Sequence, residues 1–145
     1  MLRQIAFGSA VSLGNIAIHA LMMIVILRTK NAVRANAPTR PTLRLAGIMI
    51  AVVAMLMVAH LCEIAIWSAA YSLVDAAAPG ADDLYFAFVN YTTLGYGDIV
   101  PAPRWRLLGP MTAMNGVLLF GWSTAVIFQV LWTTVSRNDF RAPRQ

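Results

Sequence analysis

The stretch TTLGYGD, residues 92–98, lies between two long apolar runs of the chain. It holds two glycines, two threonines, one aromatic residue and one acid. It is too irregular to cross a bilayer by itself and too patterned for a loose loop. Glycines at alternate positions, Gly95 and Gly97, permit positive backbone φ that other residues resist. A strand whose dihedrals alternate in sign turns successive carbonyls to one side. Such backbone lacks internal partners, so at membrane depth it must be buried in protein or line a water-filled path. Carbonyls from several chains arranged around an axis would replace the hydration shell of a cation.

The rest of the chain provides the membrane. Its 145 residues are 59% hydrophobic and 12% charged, with a mean hydropathy of +0.68. A soluble domain of this size leaves too much of its surface in water to hide that apolar content. Three runs exceed the ~20 residues a spanning helix needs: about Ile5–Leu27, Leu45–Leu73 and Leu107–Val135. Charge between the first run and the small-residue triplet Ala35-Asn36-Ala37 argues for a true span rather than a signal peptide. Before TTLGYGD, Pro79-Gly80 marks a turn, and Asp82 or Asp83 is placed to cap a short apolar helix from Leu84 to about Thr92. The negative end of that helix would face a waiting cation.

The net charge of +5 does not point to nucleic acid, because the basic residues flank apolar runs. Eight of the eleven Lys and Arg crowd the Arg28–Arg44 connection and the tail after Ser136. The positive-inside rule then places the N-terminus outside, that connection and the tail in the cytoplasm, and residues 71–106 outside. Arg104 and Arg106 run against the rule and are outnumbered. The single cysteine, Cys62, reads as a buried small residue within its span.

TTLGYGD resembles the selectivity-filter signature of potassium channels, whose common form has valine at the Leu94 position. The order span, short helix, filter, span from Leu45 to Val135 is similar to that family's pore domain. In the last span FGWSTA, residues 120–125, resembles the F-G-x-x-T-A stretch of bacterial proton-gated potassium channels. The resemblance implies an all-α membrane protein with a re-entrant pore helix and filter loop. Three domains follow: an additional helix and basic connection at 1–44, a pore domain at 45–136 and a tail at 137–145. It also implies a homotetramer, since one filter per chain makes a quarter of a pore. The K+ ligands would be the Thr93, Leu94, Gly95 and Tyr96 carbonyls and the Thr93 hydroxyl, with Gly97 completing the mouth.

By the same resemblance, relatives hold the filter aspartate, here Asp98, with a glutamate and a tryptophan on the pore helix. Those positions are Val89 and Tyr85; Tyr85 retains a hydroxyl to donate and Val89 has nothing to offer. Leu94 is expected to pack behind the filter strand. Phe120, Thr124 and Phe128, with Ile127 and Leu131, become cavity and gate residues. Gly116 and Gly121 are points where the last helix could bend, and Asn115 is expected near Asn90.

Glu63 is the one acid inside a span, and such groups are costly unless functional. It shares a helix face with His60, Trp67 and Tyr71, while Gly8, Ser12, Asn15 and His19 stripe the first span. Two readings remain open: polar glue between helices, or filter support and proton sensing. Counting along the spans sets His19 and His60 roughly 10 Å apart in depth, which argues against a shared haem iron.

The sequence therefore predicts a passive potassium-selective channel of a plasma membrane, the bacterial inner membrane, with lipids as surroundings. It is not an enzyme and has no cofactor beyond K+ in the filter. No span carries an arginine ladder, and the nine residues after Ser136 are too few for a folded ligand-binding domain. The alternatives are a non-conducting membrane subunit that keeps the pore architecture, and a poorly selective cation channel. A haem protein built on the two histidines is more remote.

Overall fold

A computed structural model describes the backbone of residues 1–35 and 41–139 and the side chains of 1–28 and 42–136. Much of the basic connection (Lys30, Arg34, Pro38, Arg40) and the tail arginines Arg137, Arg141 and Arg144 lie outside the described side chains. The elements are α1 (Leu2–Ala35), α2 (Pro41–Leu73), α3 (Asp83–Tyr91), a 3₁₀ turn (Pro103–Trp105) and α4 (Leu108–Asp139). No strand occurs among the described residues.

Three helices are long and apolar enough to cross a membrane: Leu2–Arg28, Thr42–Leu73 and Pro103–Ser136. At 1.5 Å per residue each exceeds ~30 Å of hydrocarbon. The chain is a multi-pass, all-α membrane protein. α2 starts at Pro41, where a missing N–H costs nothing because the first amides of a helix have no partner. α3 is too short to cross. Asp82 caps it, its carboxylate accepting from the Leu84 and Tyr85 amides at 3.0 Å each. The cap is Asp82 rather than Asp83, which occupies the first turn.

α1 packs on α2 and α4, and α3 wedges between α2 and α4. The core is layered. At the α3 end Trp67, Tyr71, Phe86, Tyr91 and Leu108 are buried together, with Phe7 of α1 against Trp105 at 5.7 Å between ring centroids. At the other end Met23 and Ile26 of α1 meet Ile48, Val52 and Leu56 of α2 and Val130 of α4. Between them lies a polar layer containing Asn15, His19, Glu63, Asn115 and Ser123, all buried. The Leu107 amide donates to Gln4 Oε1 at 2.9 Å, fixing how far α1 slides along α4.

Cys62 is exposed, not buried. It sits about 100° round α2 from buried Glu63, on the outward face with the exposed Val58 and Leu61. In a bilayer that face meets lipid or another chain, and an apolar run alone does not say which of its residues turn inward.

Candidate functional site

The last turn of α3 delivers the chain into TTLGYGD. The Thr92 amide and hydroxyl both donate to the Phe88 carbonyl, at 3.0 and 2.7 Å. The Thr93 amide donates to the Asn90 carbonyl at 3.0 Å. The Leu94 and Gly95 amides donate to one acceptor, the Val89 carbonyl, at 2.9 and 3.3 Å. These bonds reverse the chain against the helix it has just left. φ is positive at Thr93 (61°), Gly95 (61°) and Gly97 (77°), and at neither Leu94 nor Tyr96 between them. That is the alternation needed to turn carbonyls to one side. Glycine adopts it freely; Thr93 does so at a cost of about 1–2 kcal/mol.

Residues 92–98 are all exposed on the single chain. Leu94 is 53% exposed on the single chain, so about half of its side chain is left for another surface to cover. The Tyr85 hydroxyl donates to Asp98 Oδ2 at 2.7 Å. This bond holds the Asp98 carboxyl below the usual carboxylate range and pushes the Tyr85 phenol up. The Val89 side chain is buried and offers no polar group, yet its carbonyl anchors the start of the strand.

Behind α3 the polar layer connects three helices to its last residue. Glu63 accepts from the Tyr91 hydroxyl through Oε2. Its Oε1 is 2.7 Å from His19 Nδ1, and Oε2 is 3.0 Å from His60 Nδ1. The two imidazoles therefore lie side by side, with ring centroids 5.3 Å apart, instead of offset along the bundle. Depth counted from the ends of apolar runs fails here because contacts set the register: Gln4 on Leu107, and Asn15 donating to the Glu63 carbonyl at 3.3 Å.

Asn115 does not turn toward Asn90. Its Oδ1 accepts from Trp67 Nε1 at 2.9 Å and Asn15 Nδ2 at 3.1 Å, tying α4 to α1 and α2. Asn90 instead donates to the Phe86 carbonyl at 3.0 Å and lies against Gly109. Gly8 packs on Met111 and Leu108.

Along α4, Gly116 touches the backbone of Tyr91, and a Cβ there would collide with the Tyr91 carbonyl. Its lack of a side chain serves this close approach, and α4 runs through it as one helix. Gly121 has open space around it. Phe120 is half-covered, its ring 4.7 Å from His60 and 5.4 Å from Tyr91. Thr124 is exposed and donates to the Phe120 carbonyl at 2.9 Å. Phe128, 64% exposed, stacks on Trp132. Ile127 is half-buried and Leu131 exposed.

Sequence reasoning missed Tyr91 and Ser123. The signal for Tyr91 was the lone acid itself: a carboxylate at membrane depth needs donors, and Tyr91 is the hydroxyl that ends α3. Ser123 lies within 3.3 Å of both imidazoles and carried no signal beyond its place in FGWSTA.

Comparison with known proteins gives one assignment. A family model described as an ion channel matches residues 59–133, from the polar layer through α3 and TTLGYGD into α4. No curated protein and no solved structure matches the chain. The match covers just over half of the 145 residues, and α1 precedes it. The chain therefore belongs to the two-transmembrane ion-channel family, that of potassium-channel pores, and carries an extra N-terminal helix.

Proposed function

We propose that the chain is one quarter of a homotetrameric, potassium-selective channel that conducts K+ passively. The observation that carries this reading is the alternation of positive φ at Thr93, Gly95 and Gly97, directly after a short capped helix. Four such strands around an axis present rings of carbonyls from Thr93, Leu94, Gly95 and Tyr96. Those rings replace the water around a dehydrated K+. The Thr93 hydroxyl adds a ring at one end, and Gly97 opens the mouth at the other. The C-terminal end of the α3 dipole carries about half a negative charge, which favours a cation at the filter entrance.

In this reading, Asp98 and Tyr85 hold the mouth, and Glu63 supports the filter from behind through Tyr91. The exposed Leu94 side chain is covered by a neighbouring copy. Phe120, Thr124 and Phe128 face the cavity, and apolar side chains there gate by dewetting. K+ in the filter is the only bound species the function needs. The protein sits in a plasma membrane, the inner membrane of a bacterium, with its N-terminus outside and its C-terminus in the cytoplasm. Domains follow as an added helix at 1–44, the pore at 45–136 and a tail at 137–145.

The test is ion flux into liposomes carrying purified protein, with barium as blocker and Gly95→Ala beside it. Barium-sensitive K+ flux that exceeds Na+ flux and is lost in the variant supports the reading. Flux that ignores the variant removes TTLGYGD from the conduction path. Equal K+ and Na+ flux leaves a poorly selective cation channel. No flux from tetrameric protein over a range of pH and voltage leaves a non-conducting subunit.

A further inference from the structure

The chain has two histidines, and both stand against Glu63 in the polar layer. Ligand-type atoms of His19, His60 and Glu63 all lie within 4.8 Å of one another. His19 and Glu63 are fully buried, and His60 is 14% exposed. The described partners of the carboxylate are two imidazoles and a phenol, with no lysine or arginine among them.

No placement of one proton on each neutral ring meets every contact: mixed protonation, His19 on Nδ1 and His60 on Nε2, comes nearest and leaves the His60 Nδ1 lone pair facing the oxygens of Glu63 and Tyr91. Nδ1 of each ring faces Glu63. Nε2 of each ring faces a single atom, Ser123 Oγ, at 3.0 Å from His60 and 3.3 Å from His19. A neutral imidazole carries one N–H. If both rings donate from Nδ1 to the carboxylate, two Nε2 lone pairs compete for one serine proton, and one is left against an oxygen lone pair. If both rings carry the proton on Nε2, both donate into the two lone pairs of Ser123. Two Nδ1 lone pairs then face an ionised carboxylate.

The arrangement with both protons on Nε2 is what a bound metal cation completes. Histidines that ligate a metal hold their proton on the other ring nitrogen and donate it to an outer acceptor, which fixes tautomer and orientation. Ser123 is placed to be that acceptor for both rings. Tyr91 plays the matching part for the carboxylate, donating to Glu63 Oε2, and its oxygen is 2.9 Å from His60 Nδ1. A cation ~2.1 Å from each ligand in tetrahedral geometry separates those ligands by about 3.4 Å. The observed contacts of 2.7 and 3.0 Å are shorter than that spacing, so the ligands open by about 0.4–0.7 Å to admit the ion. Two imidazoles and one carboxylate suit a borderline divalent ion of the zinc class. The exposed edge of His60, beside Phe120, gives a way in.

We propose that His19, His60 and Glu63 form a binding site for a divalent transition-metal ion, with Ser123 and Tyr91 orienting the ligands. The site draws on all four helices and ends on the residue before the filter segment, so an occupied site would lock α1 and α2 to the end of α3. The rival occupant is one extra proton on one ring, which satisfies the same contacts.

The full-length chain in lipid nanodiscs, in a Cys62→Ser background so that no thiol contributes, is titrated with Co2+ at pH 8 and then with Zn2+. The proposal expects one Co2+ per chain, visible d–d bands of a four- or five-coordinate ion, and displacement by one equivalent of Zn2+. His19→Gln and Glu63→Gln should abolish the bands. Ser123→Ala keeps every ligand and the fold, and should weaken binding about 10- to 100-fold. Absence of stoichiometric Co2+ or Zn2+ on folded protein overturns the site and leaves the proton as occupant. Binding that persists at full strength in folded His19→Gln overturns it equally.

Discussion

Thr93 shows how closely a single residue can be specified. Its φ of 61° is unfavourable for any β-branched side chain, and it is held because the Thr93, Leu94 and Gly95 amides are tied to carbonyls of the last turn of α3. The same economy governs Asp98, five residues on, which has the Tyr85 hydroxyl as its side-chain partner. The bond needs an ionised acid and a protonated phenol. Because Asp98 is shifted down, its contribution is complete above the ordinary carboxylate range and is lost as pH falls through the lowered value. Because Tyr85 is shifted up, its contribution is complete below the ordinary tyrosine range and is lost as pH rises through the raised value. Potassium flux measured against pH on the filter-mouth side should therefore stay level between those two ranges. In Tyr85→Phe the acid shoulder should move up toward the ordinary carboxylate range, with the alkaline shoulder from this pair gone. An unchanged acid shoulder in the variant would separate Asp98 from conduction.

At the scale of the element, α4 is where packing and bending make different demands. Gly116 lets α4 meet the Tyr91 carbonyl, so Gly116→Ala forces two backbones apart. It should lower unfolding stability by about 1–3 kcal/mol, the usual cost of overpacking a tight site. Gly121→Ala meets nothing and should raise it by up to about 1 kcal/mol through helix propensity. Thermal unfolding of both variants in detergent checks the pair. Loss of flux in Gly121→Ala with stability kept would assign bending to that residue. Asn115 binds α4 to its neighbours differently, taking two side-chain donors at one oxygen. Asn115→Leu should cost about 1–2 kcal/mol, since interhelical hydrogen bonds in membranes are individually modest and two buried donors lose their acceptor. Gly116 and Asn115 also mark the limit of what the sequence disclosed. The spans were legible because long apolar runs have few other fates, and α3 was legible from a turn, a capping acid and its short length. Which face of α4 carried Asn115, and which face of α2 hid Cys62, was not. A helix apolar all round has no periodic signal to say which side is covered. The depth of His19 against His60 was lost for a related reason: hydropathy marks where a span ends only loosely, whereas sliding of one helix along another is set by contacts such as Gln4 on Leu107.

The whole chain does not close on itself. Residues 92–98 are exposed, as are Ile50, Met57 and Leu61 of α2 and Met114, Val117 and Leu118 of α4. Lipid can cover an apolar face. It cannot serve the uncovered backbone of residues 92–98, which at membrane depth needs protein, water or an ion. A ring of four copies would supply all three, which is why the filter reading and the tetramer, both implied by the resemblance, stand together. The two are linked thermodynamically. An ion bound among four chains binds only the assembled state, so it stabilises assembly by mass action, by about 2.7 kcal/mol when present at a hundred times its dissociation constant. In mild detergent with KCl the particle should have four times the 15.8 kDa mass of one chain. Replacing K+ with Na+ at equal ionic strength should lower the temperature at which that particle dissociates, and Gly95→Ala should remove the difference between the two salts. Salt-dependent dissociation that persists in Gly95→Ala would mean the stabilising ion sits elsewhere, and a particle of one or two chains would break the link between TTLGYGD and a shared axis.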